Sequence, residues 1–231
     1  MITKNTFFIG STGTEIGKTY TSVLIIKELV KKKLNVLPLK PILSGFDIHN
    51  IHKCDTAKLL KANNMEVNLE SIKFHTPWLY KRAIAPILAA KYEKKNISFS
   101  NIIDWIISMN NSHKRNKIDF TLIEGAGGLM VPIENKYTFI DLVKALNIPV
   151  ILVIGNYIGT ISHSLSIIKN LENMGIKIIC IVLNQTIKNN VSIRDTEYSI
   201  KNSLINKINI RTLYNHNNDI KRVTQDIINF F

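Results

Sequence analysis

Short stretches of β-branched and aromatic residues alternate along this chain with longer segments of helical periodicity. We predict strands at "TFFIG", "VLPLKP", "DFTLIEG", "PVILVIG" and "KIICIVLN". Several of them are apolar throughout, which is typical of parallel strands that helices cover on both faces. The alternation therefore predicts the α/β class, with one doubly wound, mostly parallel sheet whose ligands bind at the carboxyl ends of the strands.

The intervening segments predict helices that would cover both faces of this sheet, at residues 18–33, 56–63, 84–94, 100–109, 139–145, 161–174, 193–205 and 220–230. Polar stretches at 93–101, 110–117 and 215–219 predict loops. Because no repeat, low-complexity tract or Pro/Gly-rich linker divides the sequence, we expect a single domain over residues 1–231.

Composition argues against several classes of protein. The net charge of +13 would suit nucleic acid or an anionic membrane, but the lysines are scattered and accompany a general enrichment in Ile and Asn. The longest apolar run, "IPVILVIG", is too short to span a bilayer, and the first residues lack the apolar core of a secretory signal. We expect a cytoplasmic protein with no nucleic-acid or membrane partner, in which Cys54 and Cys180 are reduced and serve as small hydrophobic residues.

The stretch "FFIGSTGTEIGKTYTS" predicts a phosphate-binding loop between the first strand and the first helix. Gly17-Lys18-Thr19 matches the end of the pattern G-x-x-x-x-G-K-[ST], although Thr12 stands where the pattern begins with glycine. Backbone N–H groups and the helix dipole favour phosphate oxygens in such a loop, Lys18 would reach the outer phosphates, and Thr19 would bind Mg²⁺. The alternative is a glycine-rich turn that opens an ordinary helix.

A lysine follows the second predicted strand, in "LKPILSGF". Since adjacent strand ends converge, Lys40 would point into the same crevice as the phosphate loop and stabilise transferring phosphoryl charge, with Ser44 as a substrate contact. Taken alone the motif is weak, because a lysine after a strand is more often solvated.

Two carboxylates are candidate Mg²⁺ ligands. Glu124 ends the strand in "DFTLIEGAGGLMVP", where it resembles the acid that binds nucleotide-bound magnesium in other phosphate-loop proteins, and Asp55 begins the helix of "CDTAKLL". Asp55 has an equally good interpretation as a helix N-cap.

Two further segments are ambiguous. The loop and helix start in "PVILVIGNYIGTISHSL" could receive a carboxylate at exposed N–H groups, whereas His163 within it is better interpreted as a structural residue. Asn184 could donate and accept at an adenine edge, although asparagine at a strand end is commonly a turn former.

Taken in order, "GTEIGKT", "LKPILSG", "CDTAKLL", "APILAA", "LIEGAGGLMVPI", "IPVILVIGNYIGTISHSL" and "IVLNQT" resemble the dethiobiotin synthetase family, from Phe7 to about Thr186. The resemblance implies a P-loop NTPase-like fold and an ATP-dependent cyclo-ligase that converts 7,8-diaminononanoate (7,8-diaminopelargonate) and CO2 to dethiobiotin, with release of ADP and phosphate. The implied course is an amine carbamate, a carbamic-phosphoric anhydride and ring closure by the second amine.

The resemblance also implies roles for individual residues. Lys40 and Lys18 would be catalytic, Ser44 would contact the substrate, and Thr19, Asp55 and Glu124 would hold Mg²⁺. The residues expected to contact ATP are Glu15, Ile16, Gly17, Lys18, Thr19, Tyr20, Asp55, Glu124, Gly125, Ala126, Gly127, Asn184 and Gln185. The family is homodimeric, so we expect a homodimer in which the loop at 155–162 of the neighbouring chain receives the substrate carboxylate.

This sequence departs from the family pattern in places. Gly13 stands where an acid is common, and Ala85-Pro86-Ile87 lacks the polar residues of the usual "SPH". The "G-x-I-P" strand end is hard to find in "NINIRTLYN". Glu15 would be repelled by a triphosphate, so we expect its side chain to turn toward the substrate amines or the neighbouring subunit.

Competing interpretations are less favoured. A DNA- or membrane-associated partitioning ATPase would suit the basic charge, but such proteins carry a lysine early in the loop, where this chain has Gly13. The cobyrinate synthetase relatives require a glutaminase domain for which the chain has no room. A pseudoenzyme that only binds its ligands is also possible, although every catalytic residue type is present.

Overall fold

The computed structural model describes residues 5–112, 117–185, 191–213 and 219–231. Its strands, in chain order, are β1 Thr6–Ser11, β2 Val36–Leu39, β3 Ile42–Ser44, β4 Trp78–Tyr80, β5 Phe120–Glu124, β6 Pro132–Glu134, β7 Tyr137–Thr138, β8 Val150–Gly155, β9 Ile178–Asn184 and β10 Ile210–Leu213. Its helices are α1 Lys18–Lys31, α2 Asp55–Ala62, α3 Leu69–His75, α4 Pro86–Tyr92, α5 Phe99–Ser112, α6 Phe139–Leu146, α7 Thr160–Asn173, α8 Ile193–Ser203 and α9 Asp219–Phe230, and a 3-10 helix covers Ile48–Lys53.

A six-stranded parallel sheet organises the chain, in the order β10-β9-β8-β1-β5-β2. The chain leaves β1 toward β2 on one side and later returns to β8 on the other, so the order of connections reverses beside β1. Ligands of doubly wound sheets bind at the carboxyl end of this switch point. The loop after β1 therefore lies where the fold favours a ligand, and the predicted fold class is confirmed.

The sheet is buried on both faces because its central strands present apolar side chains to either side. Phe8, Ile123 and Leu152 belong to a cluster that α5, α6 and α7 cover, whereas Phe7 and Ile151 belong to a cluster beneath α1 and α9. Cys180 lies in the second cluster and is fully buried, and burial raises the pKa of its thiol. Cys54 instead caps α2, where its Sγ accepts the N–H of Ala57 at 3.5 Å.

The predicted strands and helices all exist, with ends that differ from the predicted ones by at most three residues. The structure also contains elements that were not predicted from the sequence, namely β3, β4, β6, β7, β10, α3 and the 3-10 helix. The strand β10 occupies the "NINIRTLYN" segment and forms the edge of the sheet. The predicted loops at 110–117 and 215–219 lie largely outside the described residues. Of the residues that are described, 110–112 end α5 and Asp219 begins α9. No helix within the described ranges is long and apolar enough to cross a membrane.

The glycine-rich turn after β5 lies directly against the phosphate loop. A Cβ added to Gly128 would lie 3.3 Å from backbone atoms of Thr12 and Gly13. Ser11 joins the same two segments, since its Oγ is 2.8 Å from the Gly13 carbonyl oxygen and 3.0 Å from that of Gly127. The turn therefore limits the position of the loop through close backbone contact.

Replacement of Gly128 by alanine is expected to lower the free energy of unfolding by about 1–3 kcal/mol, because rigid backbone opposes the new methyl group. Gly13→Ala is the matched control: a Cβ there meets no atom within 4 Å, and the expected change is within about 0.5 kcal/mol. Urea unfolding of both variants measures the difference. Equal destabilisation by the two substitutions would contradict the proposed close approach.

Candidate active site

The phosphate loop ends at Gly17, whose φ of 94° places it in the left-handed region just before α1. A side chain at this position would be strained and would also collide with the Asn184 amide. From the end of β9, Asn184 Nδ2 donates to the carbonyl oxygens of Ile16 (3.0 Å) and Gly17 (3.3 Å) and lies 3.2 Å from Thr21 Oγ1. The end of the loop is thus fixed by a glycine conformation and by an amide from a strand two positions away in the sheet.

A buried ion pair lies beside this loop. Lys40, which is 3% exposed, places its Nζ 2.7 Å from Oε1 of the fully buried Glu124 and 3.3 Å from the Gly125 carbonyl oxygen. Thr19 Oγ1 donates to the same Glu124 oxygen at 2.8 Å. The ends of β2 and β5 and the start of α1 therefore bring Lys40, Glu124 and Thr19 together, as the sequence predicted.

Asp55 completes the cluster from the start of α2. Its Oδ2 lies 3.4 Å from Lys40 Nζ and its Oδ1 lies 3.2 Å from Nζ of Lys58. These two lysines hold the pKa of Asp55 below its usual value even though burial acts in the opposite direction. Cys54 is the N-cap of α2, so Asp55 does not have the capping role that was its alternative interpretation.

A cavity of about 660 Å³ opens over these groups. Besides the charged residues, its lining includes Ser44 and the segment from Ala83 to Pro86. Ser44 Oγ is buried and has no hydrogen-bond partner among the described residues, so it is available to a ligand. Ala85 precedes α4 as an N-cap without a side-chain hydrogen bond, which is the consequence of the missing polar residues in "APILAA".

The two buried lysines have different electrostatic surroundings. Burial, followed by the positive charge of Lys40, lowers the pKa of Lys18 to about 8. Burial also acts to lower the pKa of Lys40, but the attraction of Glu124 and Asp55 is larger in sum and raises that pKa above its ordinary value. Lys40 is therefore a fixed cation, whereas the charge of Lys18 depends on pH near neutrality.

The oxygen donors of the cluster fit Mg²⁺. Glu124 Oε2 is buried without a hydrogen-bond partner among the described residues. The Thr19 hydroxyl contacts Oε1 of the same carboxylate, and Lys40 Nζ contacts both that carboxylate and Asp55. Hard divalent cations prefer such oxygen ligands and take few of them from protein when a nucleotide supplies the rest. In the described part of the chain, no group of three or more His, Cys, Asp or Glu side chains could hold a metal by itself.

The remaining predicted site residues vary in their relation to the cavity. Those that line it include Glu15, Gly17, Lys18, Thr19, Tyr20, Gly125, Ala126 and Gly127. Glu15 has a φ of 59° and is exposed. His163 lies outside the lining, exposed, with its Nδ1 2.9 Å from the Tyr157 hydroxyl.

Lys58 and Asn156 are among the residues at or near this site that were not predicted from the sequence. Lys58 lies one helical turn after Asp55 and lines the cavity, which its i,i+3 spacing from the acid could have indicated. Asn156 is fully buried directly after β8. Its side chain contacts Gln185 after β9 and Thr196 in α8, which no local sequence pattern brings together.

Comparison with known proteins identifies the family. The chain is 35% identical over 185 residues to the ATP-dependent dethiobiotin synthetase BioD of Methylobacterium nodulans, which covers 79% of this chain and 81% of the relative. It is 32% identical over 219 residues to that of Endomicrobium trichonymphae, covering 93% of this chain and 95% of the relative. The chain belongs to the dethiobiotin synthetase family. It is therefore an ATP-dependent ligase, as the resemblance implied.

A family model described as an AAA domain matches residues 5–222 of this dethiobiotin synthetase family member. Among solved structures, the MinC:MinD complex of Aquifex aeolicus has a TM-score of 0.53 at 15% identity, over 96% of this chain and 86% of that chain. A ParA family ATPase of Chlorobium tepidum also has a TM-score of 0.53, at 16% identity, over 99% and 93%. At these identities the likeness shows the P-loop NTPase-like fold alone.

Nucleotide affinity is expected to fall as the pH rises above 8. A bound triphosphate raises the pKa of Lys18 from about 8, so binding above that pH takes up a proton, and the affinity drops by up to about tenfold per pH unit. Calorimetric titration with ATP between about pH 7.5 and 9.5, in buffers of different ionisation enthalpy, measures both the affinity and the proton uptake. Lys18→Arg stays charged throughout this range, so a profile as steep as that of the wild type would refute the explanation.

Proposed function

We propose that this chain carboxylates 7,8-diaminononanoate with CO2 and closes the ring to dethiobiotin at the expense of ATP. The observation that carries the proposal is the cluster of Lys40, Glu124, Asp55 and Thr19 beside the phosphate loop, under one cavity. The names of the related proteins supply the reaction, and the cluster supplies the charges that it requires. The cavity of about 660 Å³ is of a size that accepts a small-molecule substrate.

In this proposal one substrate amine adds to CO2 and forms a carbamate. A carbamate oxygen then attacks the γ-phosphorus of ATP, the bond to the β-phosphate oxygen breaks, and ADP leaves. The second amine attacks the carbonyl carbon of the carbamic-phosphoric anhydride, phosphate leaves, and a cyclic urea results. Both reactants of the phosphoryl transfer are anionic, so the main task of the protein is to hold like charges together.

Lys18 and Lys40 would supply the positive charge for this encounter. Lys40 keeps its proton because Glu124 and Asp55 raise its pKa, so it stabilises the γ-phosphoryl group and the carbamate without depending on pH. Thr19, Asp55 and Glu124 would hold Mg²⁺, which when bound neutralises part of the phosphate charge. The Ser44 hydroxyl, buried beside the cavity, would contact the substrate.

The ATP contacts would come from the loop and the strand ends around it. Residues 15–20 and the turn 124–127 would surround the phosphates, and Asn184 and Gln185 would lie toward the base. Asn184 Nδ2 already holds the loop, which leaves its buried Oδ1, unpartnered within the described residues, for the nucleotide. The charge of Glu15 would face the substrate amines or a neighbouring subunit, as the sequence analysis predicted.

We further propose a homodimer of single-domain subunits. The loop after β8 carries Ile158, which is 83% exposed, and large apolar side chains such as Leu88 and Met130 are about half exposed. Exposed apolar groups of this kind are favoured at protein interfaces. The loop at 155–162 of one subunit would then receive the substrate carboxylate of the other.

The reaction is tested with purified protein, ATP, Mg²⁺, bicarbonate and 7,8-diaminononanoate. The expected result is substrate-dependent formation of dethiobiotin and phosphate in equal amounts, measured by mass spectrometry and a phosphate assay. Folded protein that binds ATP but forms no product from this substrate would refute the proposed reaction.

Lys40→Ala is expected to retain ATP binding and lose turnover by at least about a thousandfold, because the transferring charge loses its buried cation. Lys61→Ala, on the exposed face of α2 and outside the cavity lining, is the control and should retain wild-type activity. Steady-state rates and ATP titrations are measured together. Near-normal turnover of Lys40→Ala would remove Lys40 from the mechanism.

A further inference from the structure

The side chain of Asn156 lies at a junction that the proposed reaction does not use. Asn156 is fully buried directly after β8, and its backbone N–H donates to the Asn184 carbonyl oxygen at 2.9 Å. Its side chain reaches Gln185, Val191 and Thr196, which belong to the end of β9 and the region of α8. It therefore connects the loop after β8 with the strand end beside the phosphate loop.

The hydrogen bonds of Asn156 determine its orientation without ambiguity. The Val191 carbonyl oxygen, 2.8 Å away, can only accept, so the Asn156 atom that faces it must be Nδ2. Oδ1 is then the atom that accepts the Thr196 hydroxyl at 2.7 Å, which suits a group that can donate. A reversed amide would set two acceptors against each other inside the protein.

This orientation determines that of Gln185 as well. Asn156 Nδ2 lies 3.1 Å from the Gln185 carboxamide, and since Nδ2 only donates, the Gln185 atom facing it must be Oε1. Oε1 and Nε2 are bonded to the same planar carbon, so when Oε1 faces buried Asn156, Nε2 is turned away. Gln185 is itself exposed, which leaves Nε2 accessible to a ligand.

In the proposed ATP site, Gln185 would lie toward the nucleotide base. Its neighbour Asn184 contacts the carbonyl oxygens of Ile16 and Gly17 at the end of that loop. The backbone N–H of Gln185 is engaged with the Leu213 carbonyl oxygen at 3.3 Å, so the residue is fixed to the edge strand β10. A base bound beyond Asn184 would meet Nε2 of Gln185, a hydrogen-bond donor whose orientation Asn156 fixes.

We propose that Asn156 is a positioning residue that holds Gln185 as a fixed hydrogen-bond donor toward a ring nitrogen of the purine base. A ring nitrogen accepts a hydrogen bond and matches Nε2. An exocyclic amino group in the same position would place two donors opposite each other. This selection by polarity rests on the proposed binding of ATP at this site. It adds a specificity-determining pair to residues that hold the phosphates.

The test compares the dissociation constants of ATP and three analogues in which N1, N3 or N7 of the base is replaced by C–H. Wild-type protein is expected to bind one analogue about three- to tenfold more weakly than ATP, the usual worth of one hydrogen bond. Gln185→Met has a similar shape without a donor, so it should bind that analogue and ATP equally. Persistence of the difference in Gln185→Met would overturn the inference.

The role of Asn156 requires variants of its own. Asn156→Leu removes the donor to Gln185 and should reduce the analogue difference to about twofold or less, because the carboxamide can then rotate. Asn156→Ser, which keeps a hydroxyl for Val191 but is too short for Gln185, replaces it if the leucine variant does not fold. Thr196→Val is the matched control: it disturbs the same network at Oδ1 and should keep the wild-type difference.

The outcomes separate this inference from the proposed function. Wild-type protein that binds ATP tightly but does not distinguish any of the three analogues would overturn the inference and leave the proposed ligase intact. A wild-type difference that survives in both Asn156 variants would overturn the positioning role. Failure of the wild type to bind ATP at all would overturn the inference together with the function on which it rests.

Discussion

The buried pair of Lys40 and Glu124 is the interaction on which the site depends. Two charges that are almost completely excluded from water are stable only when each compensates the other, and removal of one partner of such a pair costs about 3–5 kcal/mol. The pair also fixes positions, since β2, β5 and α1 must end where Lys40, Glu124 and Thr19 can meet. The geometry of the strand ends and the chemistry of the site therefore have the same cause.

Lys40 also affects Lys18. Burial lowers the pKa of Lys18 and the charge of the nearby Lys40 lowers it further, while Glu124 and Asp55 act in the opposite direction. A bound triphosphate would offset this lowering by supplying negative charge. The apo site is thus electrostatically suited to an anionic ligand.

Much of the fold followed from the sequence, because the central strands are apolar on both faces and the helices between them are long. The elements that were missed lack these signals. β3 and β4 contain three residues each, too few to show a period, and β10 interrupts its apolar residues with Arg211 and Thr212 because an edge strand is only partly covered. Asp55 shows the limit of local reasoning at the site: a first-turn acid and a cap look alike in sequence, and only the position of Cys54 separates them.

The contacts of Asn156 and Asn184 could not have been predicted at all. Each depends on partners distant in sequence, such as Ile16 for Asn184 and Thr196 for Asn156, and the strand order alone makes them neighbours. By contrast, Lys40 directly follows β2, Glu124 ends β5, and Lys18 and Thr19 begin the helix that follows β1. Their convergence could be predicted because parallel strands place their carboxyl ends at one edge.

The position of β1 between β5 and β8 has a consequence for motion. The phosphate loop leaves a strand that is hydrogen-bonded on both sides, and it enters α1 at a glycine held by Asn184 from β9. Strands hydrogen-bonded on both sides belong to the parts of a fold with the highest opening free energies, so both ends of the loop are fixed even if the residues between them move. Ligand entry would therefore rearrange side chains such as Lys18 and Lys58 while the strand end and the helix start keep their places.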